Sequence, residues 1–162
     1  LTLYLGETIS YTVDPWGTHD VLVVPLTIAN SGARDGSVIT LRMTVTKVAD
    51  GNSEVFSSAY FADATWFGTP DNVETGVRRP KLSFAPLAVS GRSAYSGTLL
   101  FYPKSPRPPV NGKANLFLAP KSDVKVRLEL LVSKSGESWI DRLLTNEGAP
   151  VEFKGLRIRE LP

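Results

Sequence analysis

The chain contains no cysteine. That absence removes a disulfide framework, a thiolate metal site and a cysteine nucleophile together. No apolar run approaches the ~18–20 residues needed to cross a bilayer as a helix. There is one histidine, His19. The G-x-S-x-G turn of a serine hydrolase is missing, as are the phosphate-cradling P-loop and the dinucleotide-binding glycine fingerprint. Acidic residues are absent from the whole interval between Glu74 and Asp123.

What is present describes one globular domain, residues 1–162. The apolar fraction is 42% and the charged fraction 21% over 162 residues, an ordinary balance for a folded chain. A chain of this length buries roughly 70% of its unfolded surface and needs no covalent staple. Twelve prolines and thirteen glycines argue for many turns and against long helices. The chain starts at Leu1, already inside the strand-like LTLYL. We expect that a tag, signal sequence or membrane anchor has been removed upstream.

Alternation with period two dominates, as expected for half-buried strands. It runs through 8–13, 21–30, 38–48, 54–62, 81–89, 94–103 and 123–134, and less cleanly through 151–161, where Gly155 suggests a bulge. In the third of these, Ile39, Leu41, Met43 and Val45 are expected to face the core, with Thr40, Arg42, Thr44 and Thr46 outside. Along 123–134, Val124, Val126, Leu128 and Leu130 alternate with Lys125, Arg127 and Glu129 until Leu131 breaks the pattern. Pro25 lies inside a strand and lacks a ladder donor, which predicts an edge or a bulge there. Turn signals such as NSG at 30–32, RDG at 34–36 and ADGN at 49–52 separate the strands. The segment 137–146 is expected to form a short helical turn.

Charge is unevenly distributed. Residues 1–76 hold three basic residues against nine acidic, whereas 77–162 hold fifteen against seven. Eight of the basic residues fall in 78–121 and include Arg78, Arg79, Lys104 and Arg107. Such asymmetry can mark a surface for an anionic partner, or it can cancel when the two halves interleave in the fold. Aromatic rings are interspersed in the basic stretch, but mostly on alternating strands where burial is the cheaper use. No nucleic-acid partner is expected.

His19 beside Asp20 invites comparison with a base and its orienting acid. Adjacent strand residues point to opposite faces, so the pair is poorly placed for that role. Asp50 and Asn52, or Asp71 and Asn72, offer oxygen ligands without the spacing of a calcium loop. Turn chemistry accounts for them without a metal. Trp66 and Phe67 sit beside the TPDN turn at 69–72, where an exposed ring could stack on a sugar or on a partner's apolar residue.

The stretch PWGTHDVLVVPLTIANSGARDGSVITLRMTV resembles immunoglobulin-like or fibronectin-like sandwich domains of bacterial extracytoplasmic proteins. The likeness rests on the strand ending at Asn30-Ser31-Gly32, the Ala33–Gly36 corner and the strand from Val38. It implies an all-β, immunoglobulin-like antiparallel β-sandwich of about seven to nine strands. It further implies a non-catalytic interaction module, displayed in the periplasm or at the cell surface, with no cofactor and no metal. The expected partner is a protein or an anionic surface, a carbohydrate being possible and the membrane being reached only through a removed anchor. The candidate contact residues are Trp66, Phe67, Arg78, Arg79, Lys104 and Arg107. Within the corner, Arg34 and Asp35 are the residues expected to remain free for a partner. Two rival expectations are a carbohydrate-binding module using exposed tryptophans and an enzyme with an unrecognised acid/base site.

Overall fold

A computed structural model describes residues 1–6, 8–14, 19–63, 82–105, 107–108, 110, 115–118, 123–134, 146–147, 151–153 and 157–160. Among these the chain is all-β. The strands are β1 (Thr2–Leu5), β2 (Thr8–Val13), β3 (Asp20–Asn30), β4 (Gly36–Lys47), β5 (Ser53–Ala62), β6 (Leu82–Ser83), β7 (Leu87–Val89), β8 (Ser93–Pro103), β9 (Val124–Lys134), β10 (Asn146–Glu147), β11 (Val151–Phe153) and β12 (Arg157–Glu160). They form one curled sheet whose main path runs β10-β9-β4-β5-β8-β3-β2-β12. That path of eight strands fits the seven to nine expected, and β1, β6, β7 and β11 attach to its flanks. Pairing is antiparallel throughout except between β12 and β2, which run parallel.

The long strands pair across large sequence separations. β3 lies against β8 from Leu22↔Phe101 to Asn30↔Ser93, and β4 against β9 from Gly36↔Lys134 to Lys47↔Val124. β5 joins the two groups, pairing with β4 through Ser53–Ser57 and with β8 through Phe56–Ala62. One face of each long strand fills the common core, with Leu22, Val24, Leu26 and Ile28 of β3 meeting Leu41, Met43 and Val45 of β4. Val124, Val126, Leu128 and Leu130 of β9, with Phe56, Leu99 and Phe101, complete it. The interior is therefore filled by side chains.

Two bulges correct the expected pattern. The β4–β9 register shifts between Val38 and Thr40, so Ile39 is the extra residue. Val38 is fully buried in its place, and the apolar stripe runs Val38, Leu41, Met43, Val45. Leu131 lies opposite Thr40 on the outer face and Val132 packs against the core, so the in–out alternation of β9 continues through an apolar residue on its outer side. A second shift between Ser58 and Tyr60 turns Phe61 toward the core and Tyr60 outward. There Tyr60 packs with Val21, Val23, Leu100, Ala62 and Tyr102 in a smaller cluster on the opposite face of the sheet. The first half of β3 is thus buried on both sides, as its unbroken VLVV suggests.

The 81–89 segment, expected as one strand, is divided into β6 and β7 with Pro86 between them. The C-terminal segment likewise forms two strands, β11 on β9 and β12 on β2. Pro25 occupies a gap in pairing. On the flank away from β8, β1 registers only as far as Leu26 and β2 begins at Val23, so Pro25 lacks a partner on that side. The expected helical turn at 137–146 lies outside the described residues apart from Asn146, which is in β10.

Candidate functional site

The Asn30–Gly36 corner is framework. β3 and β4 are not paired with each other, so the corner carries the chain between the two strand groups. Asn30 is 7% exposed. Its Nδ2 donates to the carbonyls of Arg34 (2.8 Å) and Val89 (3.0 Å), and its Oδ1 accepts from the Gly32 amide at 3.1 Å. The β7–β8 turn is pressed onto this corner, with the Arg92 amide donating to the Gly32 carbonyl at 2.8 Å. A Cβ on Gly91 would sit 2.4 Å from the Ala33 carbonyl oxygen, so only glycine fits that approach. Asp35, expected to be free, accepts a hydrogen bond from the Gly91 amide at 2.8 Å. The reason is that the corner has a turn docked against it, a contact 56 residues away in sequence.

Of the candidate contact residues, Trp66, Phe67, Arg78 and Arg79 lie outside the described residues, as do Trp16 and Trp139. Lys104 and Arg107 follow β8, whereas Arg92 precedes it. The length of an eleven-residue strand, on the order of 30 Å, separates them. The described cations of 78–121 therefore do not share one surface.

Arg107 belongs to a charged cluster that closes one end of the core. Three strand residues in phase with the core stripe point inward there: Asp20 before Leu22, Lys47 after Val45, and Glu54 before Phe56. The segment 115–118 crosses this end. Asp20 Oδ2 accepts the amides of Phe117 (2.5 Å) and Leu118 (3.2 Å), while Oδ1 is buried with no hydrogen-bond partner among the described residues. The Phe117 ring, 2% exposed, is flanked by Lys47 Nζ at 4.9 Å and the Arg107 guanidinium at 4.7 Å. Arg107 Nε lies 2.9 Å from Glu54 Oε2. Burial raises the pKa of Asp20, against the opposing pull of the two amides, Arg107 and Lys47. Glu54 is also raised by burial and by the Asp20 charge, with Arg107 working the other way. Two acids and two bases balance here, and each is tied into closing the core.

His19 and Asp20 do not act as a pair. The His19 backbone amide donates to Asp14 Oδ1 at 2.6 Å and its carbonyl accepts from the Asp14 amide at 2.9 Å. The Asp20 carboxylate turns instead to Phe117 and Leu118. Asp50 is likewise occupied by its own turn, accepting from the Asn52 amide and side chain at 2.9 and 2.8 Å. Those hydrogen bonds hold its carboxyl below the ordinary range. Gly51 follows at φ +71°, a left-handed position suited to glycine.

The outer faces differ in chemistry. Over β1, β3 and β8 an open groove of about 530 Å³ is lined by Tyr4, Pro25, Thr27, Ser96 and Thr98, with backbone between. Its lining is uncharged, the Tyr4 side is exposed, and Thr27 Oγ1 and Ser96 Oγ share a 2.8 Å hydrogen bond. On the outer face of β5, β4 and β9, three registered rows read Ser57–Arg42–Glu129, Val55–Thr44–Arg127 and Ser53–Thr46–Lys125. Glu129 lies 3.5 Å from Arg42 and 3.2 Å from Arg127. Sequence reading put Arg42 and Arg127 on wet faces. It missed that β4 and β9 pair and bring them together, and it missed that parity already turns Asp20, Lys47 and Glu54 inward.

No protein-family model matches this chain, and no curated protein matches it in sequence.

Proposed function

We propose that this chain is a non-catalytic binding module that takes its partner on the outside of the curled sheet. The observation that carries this reading is the use made of its charges. The clustered acid and base groups Asp20, Glu54, Lys47 and Arg107 are committed to sealing the core end. The charged and hydroxyl-bearing side chains of β4 and β9 stand outside on a packed scaffold, where contacts form without rearranging the fold. We place the domain outside the cytoplasm, as an exported immunoglobulin-like module. The likeness of the 14–48 stretch to such exported domains supports that placement.

The test is titration of the purified domain with neutral and anionic glycans and with acidic and basic proteins. Binding is read by thermal shift, since a ligand that prefers the folded state raises its stability by mass action. Each ligand is then recovered and its mass measured. Binding with unchanged ligand is the expected result. Conversion of any bound ligand overturns the reading in favour of an enzyme.

A further inference from the structure

We propose that the open groove over β1, β3 and β8 is a binding site for an uncharged carbohydrate chain. This names the ligand class of the binding module proposed above and rests on that reading. The outward positions of β1, β3 and β8, in phase with Thr27, carry no charged residue, although 21% of the chain is charged. Among the described residues, charges on this side begin beyond β2, at Arg157 and Arg159 of β12, and beyond β5, at Arg42 of β4. Part of the neutral face is already covered, since Val21, Val23 and Leu100 are at most 2% exposed. The part left open is the groove of about 530 Å³, a volume in the range of ligand sites.

The floor of the groove reads a ligand through side chains. β3 and β8 pair residue for residue from Leu22–Phe101 to Asn30–Ser93, so a peptide cannot add there as a further strand. What the floor presents instead is hydroxyls, from Thr27, Ser96 and Thr98. Thr27 Oγ1 and Ser96 Oγ share a hydrogen bond at 2.8 Å. A hydroxyl carries one hydrogen and two lone pairs, so the bonded pair can still both donate and accept. Sugar alcohols do the same, which makes them complementary partners. Tyr4 stands opposite Thr27 on β1 and is 57% exposed. Its ring offers an apolar body to the C–H face of a sugar and a phenol to its hydroxyls. The row Tyr4–Thr27–Ser96 crosses two strand spacings, about 10 Å, room for more than one sugar ring. A charged ligand meets no counter-charge in this lining, and a wholly apolar one leaves its hydroxyls without partners.

The test titrates the purified chain with neutral gluco-, xylo-, manno-, galacto- and chito-oligosaccharides in a calorimeter. We expect at least one of them to bind, with the same affinity at low and high salt because no ion pair is broken. Dextran sulfate should not displace it. Tyr4→Ala should weaken binding roughly tenfold through loss of the stacked ring, whereas Tyr4→Phe keeps most of the affinity. Thr27→Val and Ser96→Ala should each weaken it several-fold, and all four variants should unfold close to the native midpoint. Failure of the whole panel to bind, displacement by dextran sulfate, or native affinity in both Tyr4→Ala and Ser96→Ala overturns the proposal. Each of these leaves the binding-module reading standing if some ligand binds without conversion. Conversion of the bound oligosaccharide overturns that reading instead, and not the assignment of the groove.

Discussion

Two clusters in this molecule are built from the same kinds of residue and live in opposite physical regimes. Asp20, Glu54, Lys47 and Arg107 close one end of the core around a buried phenylalanine. Glu129, Arg42, Arg127 and Lys125 lie on an open sheet face. In the first, the low exposure of Asp20 and of the Glu54 carboxylate makes their polar partners necessary, because an orphaned buried group keeps its full desolvation penalty. In the second, water screens the charges and the pairs contribute ~0–1 kcal/mol each. A charge that folding needs is a poor candidate for recognition. A charge that folding can lose without consequence is free to serve a partner.

The sharpest break of this contrast is at the closed end. Phe117→Ala removes a ring that is 2% exposed and packed into the main core. We expect a loss of about 3–5 kcal/mol, as for other buried phenylalanines, measured by urea denaturation. Asp20→Ala should follow at about 3 kcal/mol, since it orphans the Phe117 and Leu118 amides and leaves Arg107 and Lys47 short of a counter-charge. A loss below about 1 kcal/mol for either would mean that residues 115–118 do not seal the core. A smaller effect belongs to Gly91→Ala, about 1–3 kcal/mol, because the new Cβ meets backbone at the Ala33 carbonyl and must displace it.

The legibility of the two clusters in the sequence differs for a physical reason. Most strands could be read from alternation, and β2 spans the expected Thr8–Val13. Parity also carried unused information. Asp20 is in phase with Leu22 and Val24, Lys47 with Met43 and Val45, Glu54 with Phe56, so each charge on the core stripe was visible as an inward charge. The bulges were not visible, because one inserted residue at Ile39 or Ala59 depends on the partner strand's register and not on local composition. The open face was illegible for a stronger reason. Arg42 and Arg127 are 85 positions apart in number and become neighbours only through β4–β9 pairing, which no local pattern encodes. The basic stretch 78–121, by contrast, is a grouping along the chain alone, and β8 carries its Arg92 and Lys104 to opposite ends.

The comparison also has a pH signature. Burial raises the Asp20 pKa above the ordinary carboxylate value of 3.8. The folded protein therefore takes up a proton at a pH where the unfolded chain has not yet done so, and stability rises as pH falls. Asp20→Asn cannot do this. Its folded-state surroundings stay the same, with Glu54, Lys47, Arg107 and the 117–118 amides around the position. We expect the stability of the native chain relative to Asp20→Asn to improve as pH is lowered from neutrality through the raised pKa. The gain should be complete below 3.8, where the carboxyl is protonated in both states. Urea midpoints across that range measure it. A relative loss for the native chain on acidification would place Asp20 in a solvated, charge-stabilised setting and erase the distinction between the clusters.

The smallest stability effects should come from the open face, and their smallness is informative. Arg42 pairs with Glu129 at 3.5 Å with a side chain 44% exposed, so Arg42→Ser should shift unfolding by no more than about 0.5 kcal/mol. Glu129→Gln releases both arginines and should stay within about 1 kcal/mol. A double-mutant cycle between positions 42 and 129 reads the coupling directly. A coupling well above 1 kcal/mol would make the ladder a structural brace, like the closed end, and its residues would be costly to commit to a partner. A coupling near zero leaves three cations held on a rigid sheet with folding indifferent to them. In that case, these positions can be substituted without a compensating change in the core.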